Sequence, residues 1–450
     1  MTRSPPLLLL FSLVTLPLPA WALLGDGDGP LGVDGSLRTV TAAAVYDDVH
    51  PLLTGPDNRA DGFSQSLLRL VVSGRPRPWL SYEVHGVQSL DLVTRAGAAG
   101  SGGLATGTFV LPGSGGGDTP GPYRALDASW RWSGDEPDVI ANLWLDRAAV
   151  KLAWPWFDLT VGRQPIHFGK AYFWNPLDAF LPFDARQFDR DYKAGVDALR
   201  LDVPLGDFSG LNVVAVAGRT LDAGGATGGG TLDASWEGSA LILRAYTTWQ
   251  GFDLAVQGGK VEGGGLVGGA FAGEVPLPGD LGALELRGEG AWLVADSPTS
   301  LPSPLVGPVR RDHAKLVLGV GRRFASSLTV AAEYLHDGLG EPEQLAAGFW
   351  RVARGAALQV SQDVLGVTAS YEILPILVGS LGGLQSLTDG STLLLPGLTL
   401  SLSDEAELVL GAMLSHGARP LDPTEGSPLG LHSEFGSYPH VGYGEFKVYF

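Results

Sequence analysis

The feature that most constrains this chain is a series of short windows in which apolar and polar residues alternate. In LGALELRGEGAWLVAD, Leu284, Leu286, Trp292 and Val294 share one parity, while Glu285, Arg287 and Glu289 share the other. FDLAVQGGK repeats the pattern with Phe252, Leu254 and Val256. In HAKLVLGVGRRF, Leu316, Leu318 and Val320 oppose Lys315 and Arg323. In SLTVAAEYLHD, Leu328, Val330 and Tyr334 oppose Thr329 and Glu333. Only Ala325-Ser326-Ser327 separates these last two windows, so they read as a hairpin. Leu398, Leu400 and Leu402 lead into a Ser-Asp-Glu turn, and Leu408, Leu410 and Leu414 lead out of it. Side chains of a strand alternate between its two faces, so each window is a strand with one apolar face. No stretch beyond the N-terminal leader reaches the roughly 18 consecutive apolar residues that a membrane-spanning helix needs.

Composition decides what the apolar face rests on. Charged residues are 17%, below the roughly one quarter usual for soluble domains, yet hydrophobic residues are only 45%. Low charge without long apolar runs is what a sheet with one face in lipid produces. Lipid cannot satisfy backbone amides, so such a sheet must close on itself. The expected fold is all-β: a transmembrane antiparallel up-and-down β-barrel. About 19 windows can be counted. Single-chain bacterial barrels have even strand numbers, so the expectation is about 18 strands, with 16 or 20 as alternatives. The Gly- and Ser-rich stretch 90–122 is where the count is weakest.

The connections alternate as well. Short turns fall near Trp154 to Trp156, Pro204 to Asp207, Trp249 to Gly251, Ala325 to Ser327 and Ser403 to Glu405. Long loops fall near 169–193, 219–237, 296–312 and 417–436. Short turns on the periplasmic side and long loops outside are the pattern of an outer-membrane barrel.

The N-terminus reads MTRSPPLLLLFSLVTLPLPAWALLG. Arg3 makes a positive start, Leu7 to Leu18 an apolar run, and Ala20-Trp21-Ala22 a small-x-small cleavage site. Residues 1–22 are therefore expected to be a signal peptide, 23–34 a mature N-terminal segment, and 35–450 a single barrel with a loop near 169–193 that folds inward. The chain has no cysteine, so no disulfide stabilises it after export. A net charge of −18 excludes general nucleic-acid binding, which needs a basic surface.

The chain ends HVGYGEFKVYF, with apolar positions alternating up to Phe450. A last strand of this kind, with Tyr443, Phe446, Val448 and a terminal Phe450, resembles the assembly signal of Gram-negative outer-membrane proteins. That resemblance implies a bacterial outer-membrane location, and outer-membrane lipid and the barrel-assembly machinery as partners.

The stretch richest in chemistry runs from Thr160 to Asp202. Its basic residues are Arg163, Lys170, Arg186, Arg190, Lys193 and Arg200. Its acidic ones include Asp178, Asp184, Asp189, Asp191 and Asp197. Among them lie Phe168, Tyr172, Phe173, Trp174, Phe180, Phe183, Phe188 and Tyr192, many aromatics for a loop in water. Asn175-Pro176-Leu177-Asp178 looks like the start of a short helix, capped by Asn175 and ended by Pro182. Two readings stand: a loop folded into the lumen that narrows it, or an external loop packed among its neighbours. In the first, Arg163, Lys170, Asp178, Asp184, Arg186, Asp189, Arg190, Asp191, Lys193 and Arg200 are the candidate pore constriction, since charge and diameter set selectivity.

The pattern GRQxxxxGxxxxxNPxD, at Gly162-Arg163-Gln164, Gly169, Asn175-Pro176 and Asp178, resembles porin-like outer-membrane families and, more distantly, alginate-export-type barrels. The expected function is passive diffusion of small solutes or ions. The alternatives are a polysaccharide-type conduit and a structural barrel with a filled lumen. Monomer and trimer both stay open. No enzyme is expected. His336-Asp337 and Asp47-Asp48 are similar to pairs in outer-membrane aspartyl-type proteases, and Ser415-His416 is adjacent without a supporting lipase motif. Asp26, Asp28 and Asp34 lack the glutamate that completes a calcium loop, and the histidines show no metal spacing, so neither cofactor nor metal is expected.

Overall fold

The computed structural model of the protein describes residues 29–45, 60–93, 123–133, 139–180, 192–219, 231–232, 234–279, 282–296, 311–340, 348, 358–419 and 432–450. The expected signal peptide lies outside the described residues.

Eighteen antiparallel strands close into a barrel. They are β1 (Gly32–Val45), β2 (Ala60–Arg77), β3 (Leu80–Val93), β4 (Val139–Ala153), β5 (Asp158–Gln164) and β6 (Val196–Pro204). Next come β7 (Ser209–Gly218), β8 (Ser235–Trp249), β9 (Phe252–Val261), β10 (Gly264–Pro276), β11 (Ala283–Ala295) and β12 (His313–Arg323). The circuit ends with β13 (Thr329–Asp337), β14 (Asp363–Leu374), β15 (Leu377–Ser386), β16 (Thr392–Ser403), β17 (Ala406–His416) and β18 (His440–Tyr449). Each pairs with its successor, and β18 pairs back onto β1 in the register Ser36↔Tyr449, Thr41↔Gly444, Val45↔His440. Gly35 and Phe450 then exchange backbone hydrogen bonds of 2.7 and 2.9 Å, which completes the seam. A short strand, Ser129–Ser133, lies on β4 beyond the end of β5.

The period-two pattern becomes two surfaces. On β8 and β9, Ile242 and Gln257 face inward and are 0% and 4% exposed, while Leu243 and Val256 face outward at 55% and 63%. An outward apolar face needs no protein partner, because acyl chains cover it. The two rims carry exposed aromatics. Trp79, Trp154, Trp156, Phe208 and Trp249 ring the short-turn end, and Trp130, Trp132, Trp236 and Trp292 lie toward the other. Amphipathic rings prefer the level of the lipid headgroups.

Tight connections lie at Pro78-Trp79, Gln250-Gly251 and Asp404-Glu405, on the same end as both β1's start and β18's finish. The loops between β5 and β6, β11 and β12, and β17 and β18 lie at the opposite end, as the spacing predicts. That end is not uniformly long-looped: β9 and β10 are joined there by Glu262-Gly263 alone. No described helix is long and apolar enough to cross a membrane.

Candidate functional site

After β5 the chain does not turn straight back to β6. Residues 165–180 run across the inward faces of β9 to β14. Side-chain parity fixes the side: Glu289 is 1% exposed, while Trp292 and Val294 of the same strand, of opposite parity, are 49% and 45% exposed on the outer surface.

Two wall carboxylates hold this segment by its backbone. Glu289 of β11 accepts from the amides of Lys170, Ala171 (2.9 Å) and Leu177 (3.3 Å). Glu333 of β13 accepts from the amides of Tyr172 and Phe173, the latter at 2.7 Å. Gln257 of β9 adds a bond from its amide nitrogen to the Leu177 carbonyl, 2.7 Å. Charged acceptors make the stronger hydrogen bonds, about 1.5–3 kcal/mol each. The wall makes room for the segment with glycine. A Cβ at Gly366 would stand 2.8 Å from the Phe173 ring, and one at Gly268 would stand 2.7 Å from Leu177.

The GRQ…G…NP.D pattern now has a geometry. Gly162 has φ +118°, a value that L-residues avoid, and its missing Cβ leaves space for the Ala148 carbonyl. Arg163 follows, 4% exposed. Its guanidinium donates to both Asp197 oxygens (2.7 and 3.0 Å), to the Leu145 carbonyl (2.7 Å) and to the Leu126 carbonyl. Asn175 accepts the Ala171 amide at 3.1 Å and fits only because Gly169 has no side chain. The expected helix at Asn175 is a single turn, closed by the Asp178 amide on the Asn175 carbonyl (3.0 Å). The Leu177 amide, a first-turn donor that a helix leaves unpaired, goes to the wall at Glu289, and the Asp178 carboxylate is taken by Lys193 and His167.

Asp178 is 4% exposed and receives the Lys193 ammonium, with the His167 ring at 2.7 Å. Burial alone would push its carboxyl up, but the ammonium and the ring together outweigh this and hold it below the usual carboxylate range. Burial likewise pulls Lys193 down, partly offset by Asp178. The chain leaves the lumen along the opposite wall. The Tyr192 ring sits under the Arg69 guanidinium at 4.1 Å, with Arg147 at 5.9 Å and the His85 ring edge-on at 6.5 Å. Arg69 and Arg124 share Asp146 at 2.7 and 3.1 Å.

Two further candidates face the lumen, Lys170 from the segment and Arg200 from β6. Lys170 reaches Asp253 at 3.0 Å, and Arg200 bonds Asp202 at 2.9 Å, both half-open to the lumen. Asp184, Arg186, Asp189, Arg190 and Asp191 lie outside the described residues. A further carboxylate, Glu434, is fully buried in the loop before β18. It accepts the Val360 and Ser361 amides at 3.2 and 2.7 Å and the side chain of Gln359, which in turn accepts from the Trp174 indole at 3.2 Å. Sequence reasoning placed Glu289 and Glu333 on the polar face but had no signal for their partners, which are backbone groups.

The adjacent pairs considered for catalysis do not assemble. His336 faces outward against Asp363 (2.9 Å), while Asp337 points inward and accepts the Leu339 and Leu358 amides, both at 3.0 Å. Ser415 is buried and His416 is exposed. Asp47 and Asp48 lie outside the described residues. Among the described residues no group of acidic and histidine side chains could hold a metal.

No protein-family model and no curated protein matches the chain. Solved structures do. OccAB3 of Acinetobacter baumannii superposes with a TM-score of 0.54 at 11% identity, over 93% of this chain and 99% of that one. OpdQ of Pseudomonas aeruginosa gives 0.51 at 9%, over 93% and 97%. The outer membrane protein OpdK of Pseudomonas aeruginosa gives 0.51 at 10%, over 93% and 98%. The chain therefore shares the closed porin-like barrel fold of these proteins along nearly its whole length.

Proposed function

We propose that this barrel lies in the bacterial outer membrane and passes small solutes or ions by passive diffusion, with the segment from Gly169 to Lys193 narrowing its lumen. One observation carries the reading: a chain segment is docked on the inward face of a barrel whose outward face is apolar and rimmed by aromatics. The shared fold with an outer membrane protein supports the location. In this reading the candidates divide the work. Arg163, Asp178 and Lys193 are buried and hold the two ends of the segment in place. Lys170 and Arg200, with Asp253 and Asp202, stand where a solute would pass, and Asp184, Arg186, Asp189, Arg190 and Asp191 complete the constriction. The terminal strand with Tyr443, Phe446, Val448 and Phe450 is what the assembly machinery reads.

A second reading has its own observation. Glu434 ties the last long loop to residues 359–361, and through Gln359 to Trp174, so part of the lumen at the long-loop end is occupied. That favours a conduit restricted to one class of solute over a wide general pore.

The test is single-channel recording of the refolded barrel in a planar bilayer under a salt gradient. Steady open steps are expected, and deleting residues 172–190 is expected to enlarge them. A correctly folded deletion variant with unchanged steps overturns the constriction.

A further inference from the structure

We infer that Glu289 and Glu333 are the positioning residues of the constriction, and that their negative charge sets the aperture by holding backbone amides. This rests on the reading of the segment as a constriction. Five amides converge on two carboxylates: Lys170, Ala171 and Leu177 on Glu289, Tyr172 and Phe173 on Glu333. The two carboxylates are 1% exposed, so water does not replace the bonds. Consecutive amides from 170 to 173 point to the wall, so the segment is pinned flat by donors that every non-proline residue carries. Its side chains are thereby left free to turn elsewhere: the Lys170 ammonium to Asp253, and the Tyr172 ring over Arg287 at 5.9 Å.

The charges around the pair are asymmetric. Arg287, two residues before Glu289 on β11 and level with Glu333 across β12, lies 3.9 Å from Glu333 and also binds Glu285. Arg244 from β8 and Asp178 from the segment face Glu289. Lys170 gives Glu289 its amide and spends its ammonium on Asp253. Arg287 stands beyond hydrogen-bond distance of Glu333, while the Tyr172 and Phe173 amides donate to it directly. A neutral side chain of the same shape keeps the volume but turns part of each acceptor into a donor aimed at other donors.

The experiment records the wild-type barrel and the double variant Glu289→Gln, Glu333→Gln in planar bilayers. It measures open-step size at neutral and acid pH, and the largest neutral polymer that blocks the current by entering. Tyr172→Pro, which deletes one amide donor and leaves both carboxylates, is measured beside them. Amide hydrogen exchange is followed at 170–173 in the wild type and the double variant, and at 170, 171 and 173 in Tyr172→Pro. The expected result is a larger open step and a size cut-off shifted upward in the double variant, a smaller shift in Tyr172→Pro, and loss of exchange protection confined to the segment. Acid pH moves the wild type toward the double variant and changes the double variant less, since Asp178 and Asp253 are left in it. A folded double variant with wild-type steps, cut-off and protection overturns the inference. A wild type that does not conduct defeats the proposed function instead, and the exchange measurement still decides the inference: amides protected in wild type and exposed in the double variant uphold it, and amides protected equally in both overturn it.

Discussion

The wall from β9 to β13 and the wall from β2 to β6 grip the same stretch of chain by different chemistry. On the first, wall carboxylates take backbone amides, and the identity of the docked residue hardly matters to the bond. On the second, side chain meets side chain: Tyr192 lies beneath Arg69, which pairs with Asp146 of the wall, and where the stretch begins and ends Arg163 meets Asp197. The difference has consequences for what a substitution can break. Removing one side chain of a matched pair leaves its buried partner uncompensated, and near the strand ends this is felt by the wall itself. Removing a wall carboxylate releases the segment's backbone, while the strand pairing that closes the barrel stays as it is.

This contrast can be tested step by step. Arg163→Ala leaves Asp197 with the Leu126 amide but without its counter-charge, and takes a donor from the carbonyls of Leu126 and Leu145. It should cost about 3–5 kcal/mol, read as the urea midpoint of the refolded barrel. Asp178→Asn leaves the buried Lys193 ammonium without a counter-charge and should cost about 2–4 kcal/mol at neutral pH. Its sign with pH follows from the depressed Asp178 carboxyl. The contribution is present above the carboxyl's unfolded value and is lost as pH falls through the folded one. The gap between variant and wild type should therefore close on acidification, in midpoints measured across the acid range. Glu333→Gln should cost about 1.5–3 kcal/mol of local opening, visible in amide exchange at Tyr172 and Phe173, with the urea midpoint nearly unmoved. A midpoint that falls as far as in Arg163→Ala would erase the distinction between the walls. Tyr192→Leu should cost about 0.5–1 kcal/mol through the lost ring beneath Arg69, measured the same way. Lys170→Met removes a pair open to the lumen, worth about 0–1 kcal/mol. Its stability should barely move, and the reversal potential in a salt gradient should shift toward cations.

The barrel was legible because alternation survives any loop. Leu316, Leu318 and Val320 against Lys315 were enough to set the faces of β12, and the terminal strand announced its partner by staying apolar up to Phe450. The site was legible only as a composition. Arg163, Lys170, Asp178, Lys193 and Arg200 stood out as charges, but whether each meets solvent depends on neighbours far along the chain. Arg163 is spent on carbonyls near residues 126 and 145. The helix expected from Asn175 is a single turn, and the Leu177 amide, an N-terminal donor that a helix itself would leave unpaired, goes to a glutamate more than a hundred residues away. Glu289 and Glu333 looked like ordinary inward polar residues, since a partner that is backbone leaves no mark in sequence.

Closure by β1 and β18 also dictates the order of events when the protein is made. β1 can pair with β2 as soon as both exist, but its other edge has no partner until the register Ser36↔Tyr449 forms. Through almost the whole of assembly the growing sheet carries two unsatisfied edges, which in lipid are intolerable and in water invite pairing with other chains. The contact with the greatest loop-closure entropy is thus also the one that satisfies both edges. The ring of Phe450 rests on Gly35 at that seam, where the two backbone hydrogen bonds between these residues join the first strand to the last.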